Sequence, residues 1–182
     1  MPAPLAFGRP AKTEFVTHEA RESRVRYLWA SLRLVMGAIF AWAFVDKLFG
    51  LGFATTRENA WISGGSPTNG FLSFGTKGPL AEAFQAIAGN PVVDALFMLG
   101  LAGIGFALLF GIGMRVAGVS GAVMMLLMWA AALPPENHPF LDDHIVYAIV
   151  LLLLPAMRAG HTWGFGARWS RSRLVARAPA LE

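Results

Sequence analysis

The sequence predicts an all-α membrane protein: a polytopic four-helix bundle whose single long connection, an outer loop, contains a short amphipathic helix. Three observations predict it. Of the 182 residues 55% are hydrophobic and only 14% charged, with a mean hydropathy of +0.53, a balance that suits lipid rather than water as solvent. Four segments are apolar over nearly the length that a hydrocarbon core of about 30 Å requires, roughly 20 helical residues each. Lysine and arginine collect on one side of those segments, as the cytoplasmic bias of basic loops dictates.

Residues 1–26 read as a polar cytoplasmic arm, and no uninterrupted apolar run within them resembles a cleaved secretory signal. The first crossing is expected over Tyr27 to Leu51. An outer loop, 53–90, follows; its "SGGSPTNGFLSFGTKGP" is rich in turn residues. Within it "LAEAFQAIAG" places Leu80, Phe84 and Ile87 on one helical face, suited to lying along the membrane surface. "GFLSFGTKG" has a superficial likeness to a phosphate-binding loop, but its Lys follows the Thr and no strand leads into it, which excludes nucleotide binding there.

Asn90 and Pro91 form an N-cap and first helical position for a second crossing, Val92 to Met114, with Asp94 in the first turn at the positive end of the helix dipole. Only "GIGMRVAG" separates it from the third crossing, Val116 to Leu133, so the two must be antiparallel neighbours. Three prolines, Pro134, Pro135 and Pro139, fix the next loop. Asp142 or Asp143 then caps a fourth and shortest crossing around Ile145 to Met157, where Pro155 frees the carbonyl of Leu151 and predicts a kink. The transmembrane domain runs over 27–163 and a basic cytoplasmic tail over 164–182.

Helices in lipid associate by close approach rather than by burial from water. The ridge of Gly103, Ala107 and Gly111, and the pairs Gly37 with Ala41 and Ala117 with Gly121, are the expected contact faces. Met124, Met125 and Met128 read as packing filler rather than soft-metal ligands.

With four crossings, twelve basic residues share the side of both termini and three, Lys47, Arg57 and Lys77, lie on the other. Both termini are therefore expected in the cytoplasm. The net charge of +4 reflects lipid-facing topology, and no aromatic-lined basic groove points to nucleic acid. The absence of cysteine excludes thiolate nucleophiles, disulfide relays and cysteine-held iron–sulfur clusters within this chain.

Titratable residues at membrane depth are functional candidates. In "PPENHPFLDDHIVYAIVLLLLPAM", Asp143, His144 and Tyr147 fall on adjoining turns of the fourth helix near the outer surface. Trp42, Asp46 and Lys47 reach the same depth on the first helix and Trp129 on the third, with Lys47 placed to pair with Asp142 or Asp143. Arg33 stands at the inner end, roughly 20 Å from Asp46 along the helix axis. Its first expectation is snorkelling to headgroups, its second a structural polar network within the bundle.

The stretches "RLVMGAIFAWAFVDKL", "GLAGIGFALLFGIGMRVAG" and "ENHPFLDDHIVYAIVLLLL" before "AGHTWGFG" resemble the DoxX family, and the long loop "WISGGSPTNGFLSFGTKGP" is similar to its DoxD-like branch, over roughly Tyr27 to Trp169. That resemblance implies a prokaryotic plasma (inner) membrane protein and a quinone redox partner, as in the membrane subunit of thiosulfate:quinone oxidoreductase. By position the family's Arg, Lys and acid-plus-His features fall on Arg33, Lys47, Asp143 and His144.

A quinone site built from these residues would use His144 or Tyr147 as donor to a carbonyl, Trp42 or Trp129 against the ring, Lys47 at its rim, and Asp143 or Asp46 to pass protons. No haem or flavin site is visible, so electrons enter from a thiosulfate-like donor or from a second subunit of a redox complex. A homo-oligomer is compatible with the same reading. The alternative is a non-catalytic scaffold for soluble redox proteins. A transporter is disfavoured because no inverted repeat is visible.

Overall fold

A computed structural model of the protein describes residues 12–182, with 12–20 described as backbone alone. Residues 1–11, which hold much of the expected polar arm, lie outside the described residues. The described chain is all-helical and contains no strand.

Seven helices carry the fold: α1 Lys12–Phe49, α2 Ala81–Gln85, α3 Pro91–Phe110, α4 Met114–Ala131, α5 Asp143–Ala156, α6 Gly166–Trp169 and α7 Arg173–Arg177. Three are long and apolar enough to cross a membrane: α1 over Arg21–Phe49, α3 and α4. The helix α1 starts well before Tyr27, inside the expected arm, because "KTEFVTHEARESRVR" has neither Gly nor Pro to stop it. With 14 residues, α5 is about 21 Å long at 1.5 Å per residue.

Helix α3 begins where its cap predicts, the Asn90 side chain accepting from the amides of Val92 and Val93 with Pro91 at the first position. It ends one turn earlier than expected, at Gly111, whose φ of 71° is the left-handed conformation that glycine adopts without a steric penalty. The expected surface helix shrinks to five residues, Ala81–Gln85, preceded by a single turn at Gly78–Leu80.

Packing is intimate in two pairs, α1 with α3 and α4 with α5, and lighter between α3 and α4. Small residues set the close pairs, although not all those expected. A β-carbon on Gly105 would lie 2.8 Å from the Ala41 amide nitrogen, and one on Gly37 2.9 Å from that of Leu109, whereas Gly103 faces open space. The contact ridge of α3 thus runs through Gly105, not Gly103. On α4 the intimate glycine is Gly118, whose β-carbon would meet the Leu151 carbonyl at 2.7 Å and the Pro155 ring at 3.1 Å. The proline-freed carbonyl of α5 is where α4 comes nearest.

Met36 and Phe40 of α1, Met98, Leu101, Ile104 and Leu108 of α3, Met125 of α4, and Leu151 and Leu154 of α5 form the core. Around it the outward faces remain apolar, including Leu96, Leu99 and Phe106 on α3, Val119, Val123 and Leu127 on α4, and Val146, Ile149 and Leu152 on α5. Exposed apolar area of this extent, at helical spacing, is a surface made for contact with something other than water.

Candidate functional site

Two buried carboxylates anchor the connection between α1 and α3. Asp46, 2% exposed, accepts from the amides of Phe53 at 3.3 Å and Ala54 at 3.0 Å, just beyond the reversal at Gly50. Asp94, 5% exposed, accepts at one oxygen from the Ser66 hydroxyl at 2.9 Å and from the amide and hydroxyl of Thr68. The expected proton-relay role of Asp46 therefore meets a carboxylate already engaged by its own loop. Asp94 has a second function that dipole reasoning missed; "SPT", a turn rich in hydroxyls, was the signal in the sequence.

The loop held by these carboxylates roofs a cleft of ≈ 510 Å³ between α3 and α4, the lightly packed seam. Its walls are Phe97 and Ile104 from α3, Met124 and Met128 from α4, and Phe71 and Leu72 from the loop. Met124 and Met128 are filler, as read from sequence, and also line the cleft. Lys47 contributes the one cationic group in the lining, and among the described residues its ammonium has no hydrogen bond or ion pair with another group. The expected pairing of Lys47 with Asp142 or Asp143 is absent among the described residues, because α1 delivers Lys47 to the α3–α4 seam while the aspartates sit at the head of α5.

At that head the N-cap is Asp142. Its carboxylate accepts from the His144 amide at 3.1 Å and lies 2.8 Å from His144 Nδ1. Asp143, placed with His144 by sequence spacing, has a side chain 70% exposed and stands 3.6 Å from the same nitrogen. The partner of the imidazole is thus the cap residue, because a cap side chain folds forward over the first turn. The bond to Asp142 directs Nδ1–H at the carboxylate in the neutral imidazole and leaves Nε2 as acceptor. Tyr147 is partly buried against the core.

Neither tryptophan lines the cleft. Trp42 is exposed and meets Phe53 edge-on, ring centroids 5.1 Å apart. Trp129 donates its indole N–H to the Phe140 carbonyl at 2.7 Å, tying the proline-rich loop to α4. His138 caps the same loop, Nδ1 accepting from the amides of Phe140 and Leu141. Lys77 joins the two loops through Glu136 at 3.3 Å. Nearby, the Glu58 carboxyl is held below its ordinary range by its backbone hydrogen bond and by the Thr56 hydroxyl.

Arg33 lies at the opposite end and does not snorkel; it is 0% exposed. Nε donates to the Ala159 carbonyl at 3.1 Å, one terminal nitrogen to the carbonyls of Leu108 and Leu109, and the other to those of Thr162 at 3.2 Å and Trp163 at 2.9 Å. Leu108 and Leu109 are in the last turn of α3, whose carbonyls lack helical partners and carry the negative end of the helix dipole. A planar fork with five donors answers five carbonyls from two separate segments. Trp163 takes a left-handed φ of 52°, which for a residue with a β-carbon is strain; its carbonyl is one of the five.

Compared with family models, with curated proteins and with solved structures, the chain has no match. The three membrane-length helices, the carboxylate-held loop, the Lys47 cleft and the Arg33 junction stand as its defining features.

Proposed function

We propose that the protein is a multi-pass plasma-membrane subunit of a quinone-linked oxidoreductase, similar to the DoxD-like branch of the DoxX family, in which the Lys47 cleft takes the quinone ring. In this reading α5 completes a four-helix bundle as the fourth crossing, extended by its flanking turns, and both termini face the cytoplasm. The single observation that carries it is the ammonium of Lys47, attracted by Asp46 but without a hydrogen bond among the described residues, in a mainly apolar cleft of ≈ 510 Å³ that is lined by residues on the outward faces of α3 and α4. The volume lies within the range of small-ligand sites, about 300–1,000 Å³. A mainly apolar pocket with one cationic donor suits a ring whose polar atoms are carbonyl oxygens.

When bound, a quinone supplies a two-electron, two-proton acceptor. Lys47 would donate an N–H to a carbonyl oxygen, Phe71 and Phe97 would exclude water, and Met124 and Met128 would adapt to the ring's substituents. His144, oriented by Asp142, is the group for exchanging protons with the aqueous side, its free Nε2 being the accepting atom. Asp143 adds negative charge beside it. The electrons come from a sulfur compound such as thiosulfate, two anions of which release two electrons on joining through a sulfur–sulfur bond, or from a second subunit.

Copurifying quinone, and quinone reduction on adding thiosulfate, test the reading. Lys47→Met should abolish quinone retention, while His144→Ala should preserve retention and slow turnover. Wild-type protein that retains no quinone and reduces none would sink the proposal. The scaffold reading draws on Phe74 and Ile62, 85% and 63% exposed on the anchored loop, as a docking surface for a soluble redox partner. Under that reading Phe74→Ser would lose the partner and leave any retained quinone unchanged.

A further inference from the structure

At the end opposite Lys47, the α3–α4 turn, the end of α5 and the tail enclose a second cavity of ≈ 440 Å³. One wall is apolar, made by Leu152, Pro155 and Ala156 of α5, and Leu152 also faces outward. The other wall is polar, with the guanidinium groups of Arg115 and Arg158, the His161 imidazole and Glu182.

Two features characterise this wall, on which Arg158 and His161 are exposed. Arg158 occupies the position after the α5 C-cap at φ 50° and ψ 36°, where glycine or asparagine is the ordinary occupant. A side chain with a β-carbon held there is strained, and strain of this kind marks sites where the side chain's direction matters. Moreover the side chains of Arg158 and His161 make no hydrogen bond among the described residues. Arg115 is partly satisfied by the chain itself: one terminal nitrogen bonds the Glu182 carboxylate at 3.0 Å and the other the Pro179 carbonyl at 3.2 Å. The Arg115 amide, in the first turn of α4, bonds the Glu182 carbonyl at 2.8 Å, because Gly113 offers no side-chain cap. A carboxylate thus already occupies one edge of the polar wall, and the rest is uncompensated.

We propose that this cavity binds the phosphodiester headgroup of an anionic phospholipid, held by Arg158, His161 and the free face of Arg115, with the start of an acyl chain along Leu152, Pro155 and Ala156. The apolar wall continues the outward face of α5, so a lipid reaches the site without leaving the hydrocarbon. Arginine meets phosphate with paired donors, and basic pockets between membrane helices are a recurring way to hold such headgroups.

The test uses the full chain in nanodiscs of phosphatidylcholine, with or without phosphatidylglycerol. Retained lipid is read by native mass spectrometry, and stability by the thermal midpoint. Wild type should retain phosphatidylglycerol preferentially and gain thermal stability from it. Arg158→Gly should reduce that preference more than about tenfold, the amount a hydrogen bond to a charged group contributes, and abolish the thermal gain. In phosphatidylcholine alone it should melt at or above the wild-type temperature, since the strain is relieved, which separates loss of the site from misfolding. Arg177→Ala, an equal charge change outside the cavity, should keep the preference, and Glu182→Gln should raise it. An Arg158→Gly variant that responds to phosphatidylglycerol like wild type overturns the proposal. So does inorganic phosphate that reproduces the full gain in phosphatidylcholine, because the site would then belong to a free anion.

Discussion

Arg33 shows how a charge survives inside an apolar protein without a counter-ion. Five carbonyl dipoles replace water, and each would be left bare by a hydrocarbon side chain at a cost of about 1–3 kcal/mol per unsatisfied acceptor. Arg33→Met is therefore expected to abolish accumulation of folded protein, whereas Arg33→Lys, with three donors from one point, should leave a detergent-soluble but less stable protein. The yield of monodisperse protein after size-exclusion chromatography distinguishes the two, and a thermal melt of Arg33→Lys against wild type measures its loss. The glycines of α3 offer a sharper contrast. Gly105→Ala would drive a methyl group into the Ala41 backbone and should lower the melting temperature by several degrees. Gly103→Ala meets nothing and should be neutral or stabilising by up to about 1 kcal/mol through helix propensity. Which glycine touches a neighbour was not legible from the four-residue spacing, because Gly103 and Gly105 sit on different faces and only the packed helices decide between them. Arg33 was legible as an oddity and, in the second expectation, as part of a polar network within the bundle; its partners were not, since they are backbone atoms far along the chain.

Among the elements, the helices were the most legible, because runs of apolar residues ending at Gly50, Gly111 and the proline cluster leave few alternatives. Their ends shifted where local chemistry competes: α1 extends into polar sequence that is nonetheless good helix, and α3 stops at Gly111, short of Met114, whereas α5 starts behind its Asp142 cap as expected. The loop at 53–90 was read as irregular, and what that reading missed was its attachment. Asp46 and Asp94 each hold one end of the segment 53–68, so Asp46→Ala or Asp94→Ala should raise amide hydrogen exchange across that segment and leave exchange in α4 and α5 unchanged. Equal exchange in wild type and both variants would show that the carboxylates do not restrain it. The same spacing logic that placed Asp143 beside His144 overlooked that the cap residue lies nearer, so Asp142→Ala should loosen the His144 ring, read from its NMR line shapes, more than Asp143→Ala.

For the whole molecule, the distribution of basic residues is the feature that sequence conveys best, and it yields a direct test of the proposed topology. The absence of cysteine makes the native chain its own blank. In intact cells, Arg57→Cys should be labelled by an impermeant maleimide and Arg173→Cys should not; the opposite pattern would invert the orientation. The cleft, by contrast, was not legible, because it arises from how lightly α3 meets α4, a property of two surfaces jointly. Trp42 and Trp129 looked like ring-stacking residues by type and depth, yet one meets Phe53 and the other pins a loop. Lys47 alone of the expected quinone contacts reaches the cleft.

The Arg33 junction also dictates an order of events during synthesis. Its acceptors lie 75 to 130 residues further along the chain, so at about 5–20 residues per second the ribosome needs roughly 6–26 s to produce them all. Throughout that interval the guanidinium lacks the Ala159, Thr162 and Trp163 carbonyls to which it donates in the folded chain. The carbonyls at 159–163 complete the junction, so a chain truncated before residue 159 leaves Arg33 without three of its five acceptors and is expected to be degraded faster than the full chain in a pulse-chase measurement.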